Sequence, residues 1–228
     1  MTDLVAQPSL LNERVLLREL NHRINNELTS AICAISVEAM RADNVAVKHA
    51  LSDVVELLHN YADVHRALNM PDRPVLTDVA CYLQRLCLTI TRSKLDKLAI
   101  RLVFAADHLL LQSDRCWRLG LIVNELLTNV ARHARFDGRA GEVTVELTHA
   151  GTFVKCKVSD NGCTPEVIRR GRGLTIIDDL AQSLAGRIHV SSAEGSSFQL
   201  AFPFTEHEQC ASRSSNRVDP VAARRMSA

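Results

Sequence analysis

The sequence predicts an α plus α/β architecture in two units: an N-terminal helical hairpin, doubled by a second copy into a dimeric four-helix bundle, followed by an α/β sandwich. Three observations carry this. All nine glycines fall between Gly120 and Gly195, and none precedes them. Glycine costs about 0.5–1 kcal/mol inside a helix but permits tight turns and close backbone approach to a ligand, so the glycine-free half suits long helices. Apolar residues recur at helical spacing early in the chain, whereas short alternating runs bounded by turn residues fill the glycine-bearing half.

Element by element, residues 10–41 follow Pro8 and Ser9 without a breaker, and Leu17, Leu20, Ile24, Leu28, Ala31 and Ile35 return at three- and four-residue steps. This predicts one long amphipathic helix. Asp43 and Asn44 interrupt it, and residues 45–68 repeat the pattern with Val47, Leu51, Val54, Leu58, Ala62 and His65 before Pro71 and Pro74. The two arms make a helical hairpin. A lone pair of helices buries only one side of each seam, so a homodimer is expected. From Thr77 the reading is a helix over 78–94, a strand over 99–105, and a helix opening at a Ser113 cap and running to Ala134. Residues 142–148 alternate apolar and polar, Ala150-Gly151 turns the chain, and 153–159 returns as a paired strand. A helix over 174–184, a strand over 187–192, a turn at Gly195 and a strand ending at Phe204 complete the sandwich. The expected boundaries are an extension at 1–9, the hairpin at 10–70, the second domain at 75–204 and a tail at 205–228. That tail holds few large apolar residues and is expected to be disordered.

With 228 residues, 46% hydrophobic and 23% charged, the chain can bury a real core. A formal charge of +1 provides no basic field for nucleic acid or an anionic membrane, and neither is expected as a partner. The seven cysteines are odd in number and form no Cys-Xaa-Xaa-Cys pair, which points to reduced thiols and a cytoplasmic location. Charged residues within the first twenty positions argue against a signal peptide, and no apolar run approaches the roughly 18–20 residues of a membrane span.

Within the first helix, "LLRELNHRINNEL" places a histidine opposite the apolar seam. At 100° per residue, His22 stands about 200° from both Leu20 and Ile24. Its neighbours three and four residues away are Arg18, Glu19, Asn25 and Asn26, all polar. A surface histidine needs no explanation by itself. Its chemistry does suggest one, because a neutral imidazole carries a free lone pair that can attack phosphorus without prior activation. His49, His59, His65, His108, His133, His149, His189 and His207 lack such a shelf or a metal-ligand spacing and read as structural or surface groups.

Three later stretches form a set: "LGLIVNELLTNVARHA" (119–134), "VSDNG" (158–162) and "GRGLTIIDDLAQSLAG" (171–186). In the first, Glu125 and Asn129 share a helix face, with Asn124 and Arg132 near its edges. A carboxylate and an amide oxygen so placed can organise Mg²⁺ and its waters. In the second, Asp160 ends a strand and can accept a hydrogen bond from an adenine amino group, while Gly162 leaves room for the base. In the third, Gly171 and Gly173 lead into a helix whose free amides suit phosphate oxygens. Taken singly, each stretch has an ordinary structural explanation. Together, in this order and after a hairpin with an exposed histidine, they are specific.

The set resembles the histidine kinases of two-component signalling over residues 10–204. "ELNHRINNEL" is similar to the phosphoacceptor box of the branch written His-Arg-Xaa-Xaa-Asn, with His22 at the phosphorylated position. "VNELLTNVARHA" is similar to the N box, "DNG" at 160–162 to the G1 box, "GRGL" at 171–174 to the G2 box, and "GSSFQLAFP" to the closing glycine and strand. The resemblance implies a dimerisation and phosphotransfer hairpin followed by an ATP-binding domain of the gyrase, Hsp90 and histidine kinase type; an orphan form, with no sensor domain ahead of the hairpin, is the expected departure from the family. It implies ATP and Mg²⁺ as cofactors and a response regulator receiver domain as partner. Asn129 would ligate the metal, Glu125 would order water or take a proton, and Asp160 would recognise adenine. Asn124, Arg132, His133, Gly162, Gly171, Gly173 and Leu174 would line the nucleotide, and Asn26 stands where relatives carry a polar residue used in phosphatase chemistry.

The sequence departs from the pattern in several places. Arg23 replaces the acidic residue common after the histidine, making Glu19 the candidate partner of the imidazole. Thr164 stands for the second glycine of Asp-Xaa-Gly-Xaa-Gly, and few residues separate Pro165 from Gly171, leaving a very short lid. The Trp-Xaa-Glu signature of the sister branch is absent, and Asn124 occupies the position of that branch's histidine. Two further readings stay open at this level: a histidine phosphotransferase with a degenerate nucleotide site, and a serine kinase or anti-sigma module on the same fold.

Overall fold

The structure is a computed structural model that describes residues 7–69, 71, 74–163, 172–192 and 195–218. It divides into two compact units, residues 1–70 and 71–228.

The first unit is an antiparallel pair of helices, α1 (Gln7–Arg41) and α2 (Val45–Ala67). Helix α1 begins three residues earlier than its periodicity predicts. Pro8 falls in the first turn, where its missing N–H costs no helical hydrogen bond. Asn44 caps α2 by accepting the amides of Ala46 (2.8 Å) and Val47 (3.4 Å), the role expected of an N-cap amide. The hairpin buries Ile32 and Ala39 on α1 and Ala62 and Val64 on α2, but Leu16, Leu20, Met40, Val45, Val47, Val54 and Tyr61 stay exposed. The predicted seam is therefore only partly covered within one hairpin. Two polar atoms inside it, Asn25 Oδ1 and His65 Nδ1, are buried without a hydrogen-bond partner. Asn25 thus does not lie wholly on the open shelf around His22, and His65 is not a plain seam residue.

The second unit is built on a five-stranded sheet in the order β2-β4-β5-β7-β6. Its strands are β2 (Ile100–Ala106), β4 (Gly141–Ala150), β5 (Phe153–Asp160), β6 (Arg187–Ser191) and β7 (Ser197–Pro203). The β2–β4 pair is parallel and the other three are antiparallel. The β4–β5 hairpin closes at Ala150↔Phe153 and runs to Val143↔Asp160, so Asp160 stands at the far end of β5 from the turn. Val143, Val145, Leu147, Val154, Cys156 and Val158 alternate inward along the hairpin, the period-2 pattern of a half-buried sheet. The sheet meets α3 (Val79–Ile90) at β2, α4 (Ser113–His133) at β5 and α5 (Arg172–Ser183) at β6.

Several local features differ from the sequence reading. The helix expected over 78–94 is α for twelve residues only; Asp78 caps it through the Cys81 amide, and a π turn at Thr91–Leu95 and a 3₁₀ turn at Asp96–Leu98 follow. Ser113 is not the cap of α4, because Gln112 takes that place without a side-chain bond. The Ser113 hydroxyl instead accepts the Val75 amide at 3.2 Å, next to a small antiparallel pair, β1 (Leu76–Asp78) with β3 (Leu110–Gln112), that the sequence reading did not include. Gly120 lies in mid-helix because a Cβ there would run into the Tyr82 ring.

The tail is the largest correction. Residues 206–218, expected to be disordered, form helix α6 (Glu206–Val218). Glu208 is fully buried: it pairs with Arg115 and accepts the amides of Gln112 (2.9 Å) and Thr205 (3.1 Å) and the Thr205 hydroxyl (2.8 Å). Ser212 accepts the Leu110 amide at 2.9 Å. The helix is held by polar groups satisfying the free edge of β3, a signal that a count of large apolar residues misses.

Candidate functional site

In the hairpin, His22 is exposed on α1, and so are Glu19, Arg23 and Asn26. The Arg23 guanidinium donates to Glu19 Oε1 at 2.8 Å, an exposed ion pair at four-residue spacing. Glu19, the expected partner of the imidazole, is thus engaged by Arg23, whose charged fork reaches the carboxylate along one face. Such a pair contributes only about 0.3–0.5 kcal/mol, so the carboxylate is readily released. His22 makes no hydrogen bond among the described residues, and its ring is open to a reactant.

In the second unit, the long α4 carries Asn124, Glu125, Asn129, Arg132 and His133. Glu125 and Asn129 are half-buried, and neither makes a side-chain hydrogen bond or ion pair among the described residues. Gly173, in the first turn of α5, faces them: a Cβ there would lie 3.3 Å from Glu125 Oε2 and 3.8 Å from Asn129 Oδ1. The absent side chain lets both oxygens come close to the first turn of α5, and Leu174 follows it half-buried. Asn124 Oδ1 is buried with no partner. Arg132 and His133 are exposed on the last turn of α4. Gly171, Thr164 and the lid lie outside the described residues.

Asp160 ends β5 and is buried. Its Oδ1 accepts the Gly162 amide at 2.9 Å, and its own amide donates to Ser196 O at 2.9 Å. Gly195, at φ +90°, lies so close that a Cβ would collide with the Asp160 carbonyl oxygen. Asn161 is a fastener: its Oδ1 accepts the Glu142 amide at 2.8 Å and its Nδ2 donates to Ala140 O at 3.0 Å. The Cys163 amide then donates to Arg135 O at 2.6 Å. This ties the Asp-Asn-Gly turn to the chain leaving α4, so the first two glycine-half stretches converge.

Lys94, on the π turn, donates to Thr128 Oγ1 at 2.5 Å. Burial pushes its ammonium below the ordinary lysine range, opposed by the Glu125 carboxylate and reinforced by Arg132. The sequence reading missed Lys94, since a lysine at a helix end looks like a solvated charge; it stands on the π turn, which lies against α4. Among the described residues no group of three His, Cys, Asp or Glu side chains could hold a metal alone. The donors present, one carboxylate and one amide beside the first turn of α5, fit Mg²⁺ of the kind that completes its shell with water and phosphate.

A histidine kinase family model matches residues 19–94, which hold His22, and a histidine kinase-like ATPase domain model matches residues 91–201, which hold α4, the Asp160 turn and Gly173. The chain belongs to the histidine kinase family. Among curated histidine kinases, it is 28% identical over 169 residues to the sensor histidine kinase PdtaS of Mycobacterium tuberculosis, covering 68% of this chain and 31% of that protein. It is 25% identical over 203 residues to the blue-light-activated histidine kinase 2 of Erythrobacter litoralis, covering 84% and 58%. The chain thus spans about a third to just over half of these relatives. The histidine kinase domain of an Erythrobacter litoralis blue-light-activated kinase superposes with a TM-score of 0.56 at 20% identity, over 81% of this chain and 98% of that one. The histidine kinase AdeS of Acinetobacter baumannii gives 0.50 at 16%, over 82% and 96%. These two likenesses speak for a shared fold.

Proposed function

We propose that this histidine kinase transfers the γ-phosphoryl group of ATP to His22 and then to an aspartate on a response regulator receiver domain. The observation that carries the reading is Gly173, whose missing side chain lets the Glu125 and Asn129 oxygens converge on the first turn of α5, on the same unit as an anchored, buried Asp160.

In this reading Asp160 accepts the adenine amino group through its second carboxylate oxygen, its first being held by Gly162. Gly173 and the opening amides of α5 receive phosphate oxygens. Asn129 and Glu125 would hold Mg²⁺, which would supply positive charge to offset that of the phosphates. Asn124, Arg132, His133 and Leu174 border the nucleotide; Gly171, assigned to the same site by its motif, lies outside the described residues. A ring nitrogen of His22 forms the new N–P bond as the bond between the γ-phosphorus and the bridging oxygen breaks and ADP leaves. The proton displaced from the imidazole passes to a carboxylate, a role we assign to Glu125 or to a released Glu19. Asn26, one turn beyond His22, would orient water for the reverse hydrolysis.

The exposed apolar residues of the hairpin support a homodimer, since a second hairpin would cover Leu16, Leu20, Met40 and Val45. Among the described residues no helix is long and apolar enough to cross a membrane. Free thiols at all seven cysteines agree with a cytoplasmic site of action.

Incubation with γ-labelled ATP and Mg²⁺ tests the reading. Label that is acid-labile and lost in both His22→Ala and Asn129→Ala is expected. A chain that takes label only from a phosphorylated regulator, and none from ATP, would instead be a phosphotransferase.

A further inference from the structure

We infer that Lys94 is a positioning residue of the nucleotide site, biasing the Glu125 carboxylate through the field of an ammonium anchored on Thr128, one helical turn from Glu125 on the same helix, and so supporting the site's use of magnesium-bound nucleotide. The inference rests on the reading of Glu125 and Asn129 as the metal-handling pair.

The anchor is a short relay. Lys94 Nζ donates to Thr128 Oγ1 at 2.5 Å, and the Thr128 hydroxyl spends its proton on Asn124 O at 2.7 Å. A hydroxyl that donates once has its lone pairs free, so the two bonds are compatible. Thr128 is buried and Lys94 half-buried. The lysine forms no ion pair among the described residues, and an ammonium bonded to a single neutral hydroxyl keeps two donors unused. Leaving such a group partly desolvated costs free energy unless an anion lies close.

The anion in range is Glu125, whose field favours the ammonium, whereas Arg132 opposes it. Helix geometry gives the same side. At 100° per residue, Glu125 stands about 60° around α4 from Thr128, and Asn129 about 100°. A cation seated at Thr128 therefore flanks Glu125 more closely than Asn129. The π turn offsets Lys94 from the α register of the preceding helix and lies against α4, where Lys94 reaches Thr128. Asn129 and Glu125 lack other protein partners, so an anchored cation beside the carboxylate limits where it can swing before metal and nucleotide arrive.

The test is calorimetric binding of ATP to the full chain, with Mg²⁺ and with the metal chelated, for wild type, Lys94→Met, Lys94→Arg, Glu125→Gln and the Lys94→Met/Glu125→Gln double variant. The gain in ATP affinity conferred by magnesium is expected to fall about tenfold in Lys94→Met, with no further loss in the double variant beyond Glu125→Gln, because the two act as one unit. Lys94→Arg keeps most of the gain, and affinity without magnesium changes little. Thr128→Val, which removes the anchor and no charge, is a second route should Lys94→Met fail to fold; it is expected to give a smaller loss of the same kind. An equal loss with and without magnesium would overturn the inference by making Lys94 a direct phosphate ligand. Losses that multiply in the double variant, or an unchanged magnesium gain in Lys94→Met, would also overturn it. A wild-type chain that binds no ATP would overturn the kinase reading and this inference together, whereas normal wild-type binding with an unaffected Lys94→Met overturns this inference alone.

Discussion

The Asp160 carboxylate accepts the amide of Gly162, two residues further along the chain, at 2.9 Å. One bond thus fixes the orientation of the acid and shapes the turn that follows it. The second carboxylate oxygen is set in place before any ligand arrives, and preorganisation of this kind lowers the cost of binding. Asp160→Asn keeps an oxygen for Gly162 but removes the charge. ATP affinity is expected to fall about ten- to a hundredfold with little change in melting temperature, because a hydrogen bond to a charged group contributes about 1.5–3 kcal/mol. Asp160→Ala loses both bonds and should lower the melting temperature as well; calorimetry beside thermal denaturation separates the two.

Gly195, just ahead of β7, supplies the matching contact. Its φ of +90° and the nearness of the Asp160 carbonyl leave no room for a Cβ. Gly195→Ala should destabilise the chain by about 2–4 kcal/mol in urea denaturation. Gly151, at φ +61° with nothing nearby, provides the contrast. There the same change is expected to cost about 1 kcal/mol, the backbone term alone.

Helix α6 is predicted to be part of the fold. Glu208 is fully buried, and Arg115, nearly buried, pairs with it, donates to Pro203 O at 2.5 Å and lies 5.3 Å over the Phe202 ring. Removing one partner strands the other, so Glu208→Ala should cost about 3–5 kcal/mol, and the Arg115→Met/Glu208→Ala double variant less than the sum. Urea unfolding of both variants checks this. Ending the chain at Phe204 is expected to reduce stability at least as much as Glu208→Ala.

What could be read from the sequence, and what could not, follows from the kind of force involved. Helices α1 and α2 were legible because Leu28, Ile35 and Leu58 repeat at helical spacing, and β4 and β5 because Val143, Val145 and Val154, Cys156 alternate. The convergence of Glu125, Asn129 and Gly173 was anticipated as a set of motifs, though no spacing rule gives a Cβ distance. Helix α6 was illegible because Glu208 and Ser212 bond to backbone amides rather than burying apolar surface, and sequence polarity alone reads as solvent exposure. The π turn, the three-residue strands β1 and β3, and the Lys94–Thr128 bond depend on tertiary contacts that leave no periodic trace. The Glu19–His22 pairing was displaced because Arg23, on the same face, competes for the carboxylate.

The buried thiols give a pH signature. Burial pushes Cys87, Cys116 and Cys156 up from an ordinary 9.0 to about 12. Below pH 9.0 both folded and unfolded chains keep these protons, and the stability is fully present. Between 9.0 and about 12 the unfolded chain releases them first, so stability falls as pH rises. The slope approaches about 1.4 kcal/mol per pH unit for each thiol. Urea midpoints that stay level to about pH 8 and then decline would agree, and iodoacetamide on the native chain should label Cys33, Cys81 and Cys210 but spare the three buried thiols.

The account turns on one claim, that His22 receives the γ-phosphoryl group of ATP. The most direct measurement is residue-level mapping of phosphate by mass spectrometry at neutral pH after incubation of the full chain with Mg-ATP, beside Glu125→Gln. The account predicts phosphate on His22, stable to alkali and released by acid, at a level strongly reduced in Glu125→Gln. Phosphate on a serine or threonine, or on a different histidine while His22 stays unmodified, would contradict it.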